Sequence, residues 1–266
     1  MGATHGGLLI RGTVVPIEGY TIWNPLNAPW AKLDPRDYRM RRPGEFFHQT
    51  IIHTTKGTWP QYVRSGKGPG MKDKLVADYW RGSLKQSAAQ IVVDNDGDSA
   101  ACLCDLATTV AYHATYGNAH GIGIEMYQEA DGGIFEPVLE LTVAIVLALA
   151  DQFGFPLVMP KLPYQNKPLQ RLIHGGPDFY GVYGHRDNTS DRGRGDPGDE
   201  ITYRLVAVGA ECFDLEQRED VAVAKRRQGY LNATHGAKLV VDGKPGASTM
   251  AAARSAGFKM WRDVPA

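Results

Sequence analysis

The chain of 266 residues has no excess of charge of either sign, since 29 Lys and Arg face 29 Asp and Glu. Net charge therefore gives no pull toward nucleic acid or an anionic membrane. Cysteine is scarce, at three residues, which excludes a disulfide-stapled scaffold. Cys102 and Cys104 stand two apart on what reads as a strand, where reduced buried thiols and metal ligation are both open. Long apolar runs are missing as well: the longest, Leu141 to Ala150, ends at Glu140 and Asp151 and falls far short of the roughly 20 residues of a membrane span. No membrane insertion is expected. The N-terminus shows neither a charged leader before an apolar region nor a myristoylation signal, so the chain is expected to stay in the cytoplasm unless another machine exports it. HExxH, CxxC and solenoid repeats are also lacking.

What is present is a globular composition, 43% hydrophobic and 22% charged, suited to a packed core. The length fits one large domain or a medium one with an appendage. Residues 1–44, rich in Pro and Gly, read as an irregular leader packed on the domain that begins at 45. Phe46 to His53 has the β-branched content of a strand, and Ile122 to Tyr127 is another. Gln90 to Val93 and Ser99 to Cys104 flank Asn95-Asp96-Gly97, the signature of a hairpin turn. Pro137 to Phe153 predicts a helix, with Pro in its first turn and Gly154 and Pro156 to stop it; it is nearly apolar all round and so belongs against a sheet. Thr202 to Ala210 reads as a second helix. Strands mixed with helices predict an α/β fold, a central mixed sheet flanked by helices. A polar stretch at 211–220 reads as a linker, and 221–266 as a small helical module.

A hydrolytic zinc ion needs three protein donors and a vacant fourth position. With no local ligand motif, the donors must come from separate segments. His53 ends a strand, His185 stands in Gly184-His185-Arg186-Asp187, and Asp196 stands in Gly195-Asp196-Pro197-Gly198, where the following proline restricts its backbone. A third segment runs through Tyr112-His113-Ala114, Asn118 and Ile122-Gly123-Ile124-Glu125. The order and spacing of these pieces resemble the zinc-dependent N-acetylmuramoyl-L-alanine amidases, which share their fold with the peptidoglycan recognition proteins. The resemblance covers about 45–210. It implies zinc as cofactor held by His53, His185 and Asp196, peptidoglycan as substrate, and a monomer that cuts the amide between N-acetylmuramic acid and L-alanine.

The same resemblance gives Glu125 the role of general base and Arg194 that of oxyanion stabiliser, with His113 and Asn118 as substrate contacts. Read from the residues alone, Glu125 also suits a salt-bridged strand position, Arg194 a surface pair with Asp191 or Asp199, and Asp187 an orienting role beside the site. The family pattern is broken by Arg194 for Lys, Tyr112 for Trp, Ala89-Gln90 for a pair ending in His, and Gly121 for Ser. His48, His120 and His174 read as structural or surface residues.

From Val221 to Ala266 eight basic residues face two acidic ones, a net of +6 that leaves −6 to the first 220 residues. Gln228 to Leu231, Val241-Asp242-Gly243 with Gly246, and Thr249 resemble the helical peptidoglycan-binding domains, with Ser248 or Thr249 capping a helix. The other reading is a basic subdomain that packs on the amidase. An amidase with such a tail and no export signal fits a phage endolysin, expected in the cytoplasm until it is released to the cell wall; the alternatives are a cytoplasmic muropeptide-recycling amidase and a non-catalytic peptidoglycan-binding protein.

Overall fold

The computed structural model describes residues 6–43, 45, 47–55, 72–82, 87–128, 132–160, 180–188, 195–213, 221–241, 247–258 and 264–265. The leader is less irregular than its composition predicts. It carries four short strands, β1 (Leu8–Ile10), β2 (Thr13–Val15), β3 (Thr21–Trp23) and β4 (Tyr38–Met40). Three residues are too few to show a period of two, and β3 pairs with a strand nearly eighty residues away, so propensity alone could not find them. Leu8 and Ile22 are completely buried in the main core, where each contributes about 1.5–3 kcal/mol of burial.

The central sheet begins with β5 (Gln49–Thr54), which starts three residues later than Phe46 and runs one past His53. Helix α1 (Lys72–Gly82), not anticipated from the sequence, precedes the hairpin of β6 (Ile91–Val93) and β7 (Ser99–Cys102). Asp94 shapes its turn by accepting the Asn95 backbone N–H through Oδ1. Strand β8 (Thr109–Ala111) pairs with β4, and β9 (Gly121–Met126) returns through the middle of the sheet. Helix α2 (Glu136–Phe153) follows, with Pro137 in its first turn and Gly154 in the left-handed conformation at its end. Then come β10 (Val158–Pro160), β11 (Gly181–Gly184), the single turn α3 (His185–Asn188), and α4 (Glu200–Ala207).

The six strands lie in the order β11, β5, β9, β6, β7, β3. Only β6 and β7 run antiparallel; the other neighbours are parallel. The sheet is therefore mixed and flanked by helices, as the sequence predicts. Ile122, Ile124 and Met126 alternate along β9 and are fully buried, as are Val138, Leu141, Ile145 and Leu149 of α2. The other face of β9 presents Gly121, Gly123 and Glu125, and the two glycines let Ile51 and the His113 ring pack close against the strand.

Residues 211–213, expected to open a linker, form β12 (Glu211–Phe213), which pairs in parallel with β10. Hydrogen bonding to β10 overrides the polar composition. Beyond it, α5 (Val221–His235) and α6 (Ala247–Ser255) build a small separate core from Leu231, Ala253 and Val264. Ser248 and Thr249 lie inside α6, which begins at Ala247, so neither precedes it as a cap. The Val241-Asp242-Gly243 turn falls largely outside the described residues. Among the described residues, no helix is long and apolar enough to cross a membrane.

Candidate metal centre

Strand periodicity and register place the first three functional side chains. In β5 the residues Gln49, Ile51 and His53 share one face. Across the parallel pairing His53 lies opposite Glu125 of β9, so both side chains leave the same side of the sheet. On the other flank Ile52 lies opposite Gly184 of β11, and the next residue in each chain is a histidine. His185 thus follows directly from the β11 register as the neighbour of His53. It opens α3, where the chain turns off the sheet.

Asp196 comes from the loop beyond. Its carboxylate Oδ1 accepts the backbone N–H of Thr54 at 3.1 Å, and the Thr54 hydroxyl donates to the Gly195 carbonyl at 2.8 Å. The backbone N–H of Arg186 donates to the Asp196 carbonyl at 2.7 Å. Each neighbour of a histidine donor, Thr54 and Arg186, therefore grips the loop that carries the carboxylate. Gly184 makes this approach possible, because a Cβ there would lie 2.5 Å from the Pro197 ring. The Arg186 guanidinium completes the clamp through Nη1 to Asp199 at 2.6 Å. Asp199 is thus engaged by Arg186.

The donors converge. Nδ1 of His53 lies 2.8 Å from Nδ1 of His185, which lies 3.5 Å from Oδ2 of Asp196. Zinc bonds of about 2.0–2.1 Å in a tetrahedron set neighbouring donors about 3.3 Å apart, so the spacing and the donor types fit that ion. All three residues are buried, with exposures of 4%, 4% and 2%, where unpaired polar groups are costly and a shared cation offsets that cost. His53, His185 and Asp196 form a group whose donor atoms could hold a metal ion. Glu125 is half-buried beside it. Arg194 lies outside the described residues, as does His174.

His113 and Asn118 make internal contacts where the sequence reading expects substrate. His113 is 8% exposed, and its Nδ1 lies 2.9 Å from Nε2 of His53. Burial lowers the pKa of the His113 imidazole to about 4, so it is neutral at pH 7. Oδ1 of Asn118 accepts the backbone N–H groups of His113 at 2.9 Å and Ala114 at 2.6 Å. Asp187 accepts the Gly184 N–H at 3.3 Å, two residues beyond His185. Sequence reasoning missed the Arg186–Asp199 pair and the Thr54 grip, and no local pattern signals that Arg186 is buried. Gln90, which stands where the family pattern has His, accepts the Gly123 N–H through Oε1 at 2.7 Å. The histidines His48 and His120 stack at 5.1 Å, outside the donor group. Cys102 and Cys104 are buried and reduced, and burial pushes the Cys102 thiol up to about 12. The strand ends at Cys102, so Cys104 lies beyond it.

Solved structures resemble the chain at a distance. The catalytic domain of XlyA shares 16% identity over 70% of this chain and 99% of that one, with a TM-score of 0.41. The N-acetylmuramoyl-L-alanine amidase LysC from Clostridium intestinale shares 15% over 70% and 97%, with a TM-score of 0.40. The Staphylococcus aureus hydrolase AmiA shares 10% over 91% and 88%, at 0.41. No match was found among curated proteins. The assignment rests instead on the family model for N-acetylmuramoyl-L-alanine amidases, which matches residues 44–199, more than half of the chain, and spans every donor of the buried group. The chain belongs to the N-acetylmuramoyl-L-alanine amidase family.

Proposed function

We propose that the chain is a zinc hydrolase that cuts the amide between the lactyl group of N-acetylmuramic acid and the L-alanine of the peptidoglycan stem peptide. The observation that carries this reading is the convergence of two imidazoles and one carboxylate, the carboxylate held by the Thr54 backbone N–H, at one buried point beside Glu125. A bound zinc ion supplies Lewis acidity toward the scissile carbonyl and lowers the pKa of water to about 7. His53, His185 and Asp196 would hold it. Glu125, a half-buried carboxylate on the same side of the sheet as His53, accepts the proton of the attacking water and returns it to the leaving amine. Arg194 balances the negative charge that develops on the carbonyl oxygen, a task for which a permanent cation suffices.

The same reading extends to biology as a phage endolysin that degrades the cell wall after release from the cytoplasm. Its support is the C-terminal segment, which has a core of its own and a net charge of +6 suited to anionic wall polymers. Tethering the amidase to its insoluble substrate raises its effective concentration there. A recycling amidase acting on soluble muropeptides has no use for such a segment.

Mass spectrometry of digested peptidoglycan tests the reaction. The expected products are stem peptides with free L-alanine amino termini and intact glycan strands. Reducing sugar ends in place of those peptides would replace the amidase reading with a glycosidase, and full turnover by metal-free protein would remove zinc from it.

A further inference from the structure

We propose that His113 is a positioning residue for the metal centre, holding the His53 ring so that Nδ1 faces the ion; the assignment rests on the zinc reading of the site. The two nitrogens of His53 have different partners. Nδ1 faces His185 at 2.8 Å, within the donor group, while Nε2 faces Nδ1 of His113 at 2.9 Å. A ring that ligates through Nδ1 carries its proton on Nε2. That N–H donates to His113 Nδ1, which must then be the unprotonated nitrogen. The remaining His113 proton sits on Nε2, where the Gly121 carbonyl oxygen accepts it at 3.4 Å. One assignment of protons satisfies the whole line from carbonyl to metal position.

The surroundings of His113 are built to keep it there. Its ring lies over Gly123, where a Cβ would stand 2.6 Å from Nδ1 and 2.7 Å from Cγ; any larger residue would displace it. Gln90 holds that strand segment from beneath by accepting the Gly123 N–H through Oε1. The His113 backbone is fixed by Asn118, and the following Ala114 carbonyl accepts from Nδ2 of Asn188 at 2.5 Å. Asn188 closes the same helical turn that His185 opens. The His113 segment is thereby tied to the turn that carries His185, while its ring meets that of His53. An exposed substrate contact has no need of such fixation, whereas an orienting partner for a ligating histidine does.

Zinc affinity tests the assignment apart from catalysis. In the full-length protein, His113→Leu removes the acceptor and His113→Gln keeps one in Oε1. Competition against a chromophoric chelator should show zinc binding about 10–100-fold weaker in H113L and within about threefold of the unmodified protein in H113Q, the scale of a retained hydrogen bond. Unchanged affinity in H113L, or equal losses in both, overturns the proposal. A measurement on the unmodified, zinc-loaded protein needs no variant: side-chain ¹⁵N spectra should place the proton of both His53 and His113 on Nε2. A proton on Nδ1 of either ring also overturns it. If the unmodified protein binds no zinc, the zinc reading of the site falls as well; if it binds zinc normally while H113L matches it, only the role of His113 falls.

Discussion

Replacing Glu125 by Gln separates a proton acceptor from a structural strand residue. The side chain sits on β9, opposite His53 on one flank and Val92 on the other, in strands about 4.8 Å apart, and it is half-buried. The amide has the same shape, so packing against both neighbours survives. A hydrogen bond or ion pair of the carboxylate at such a site contributes about 1 kcal/mol, which would shift the melting temperature by only about 2–4 °C in a domain of this size. The loss of a general base is larger, typically 10²–10⁴ in rate, or about 3–5 kcal/mol of transition-state stabilisation. E125Q should therefore retain the fold and its zinc while releasing stem peptides at least a hundredfold more slowly. The assay is the initial rate of new L-alanine amino termini on purified peptidoglycan, with metal content and thermal melting on the same samples. Turnover within about threefold of the parent would refute the argument, since no acid–base role has so small an effect. Loss of zinc would refute it too, by making Glu125 a ligand.

Four further outcomes are expected from the same geometry. Zinc at a thousandfold excess over its dissociation constant should stabilise the parent by about 4 kcal/mol; Asp196→Asn keeps an oxygen for the Thr54 N–H but loses the ligating charge, so calorimetry should show most of that increment gone. Arg186→Met leaves Asp199 without its 2.6 Å partner and should cost about 3 kcal/mol, the low end for breaking a buried pair, read as a lower urea midpoint. In chelated protein the neutral His113 resists protonation until about pH 4, whereas the unfolded chain takes up that proton below about 6.5. Stability should accordingly fall as pH drops from 6.5 to 4, by about 3 kcal/mol in all, and level off below; H113Q removes that part of the slope in urea titrations. Reversing the exposed Lys225 and Arg226 to Glu should reduce co-sedimentation with cell walls at low salt while turnover of soluble muropeptides stays unchanged; unchanged sedimentation would favour the packing role for the tail.

The parts of the fold legible in the sequence are those whose signals are local. Helix α2 announces itself through Pro137, its apolar body and Gly154, and the β6–β7 hairpin through Asn95-Asp96-Gly97. Strand β3 is not legible because its three residues show no period and its partner is remote. Strand β12 is hidden by the polar residues around it, since parallel pairing with β10 depends on backbone groups that every sequence has. The site divides in the same way. Spacing along the chain says nothing of distance in space, so His53, His185 and Asp196 could be grouped only through a set of motifs. The contacts of Thr54, Arg186 and His113 with that group depend on which atoms face inward, and this is settled only by register.

Register also accounts for why the donors sit where they do. His53 and His185 each directly follow one residue of the same pair, Ile52 and Gly184, on adjacent parallel strands, so the spacing of their backbones is set by the sheet and not by the metal. Asp196 alone arrives on a loop, and that loop is fastened to the same two strand ends through Thr54 and Arg186. A preformed pair with a clamped third donor means that little chain entropy remains to be lost when an ion binds. The cost is met during folding, which brings two imidazoles and a carboxylate out of water. A metal ion held there would stabilise the whole sheet, because unfolding any one of β5, β11 or the Asp196 loop would dismantle the site.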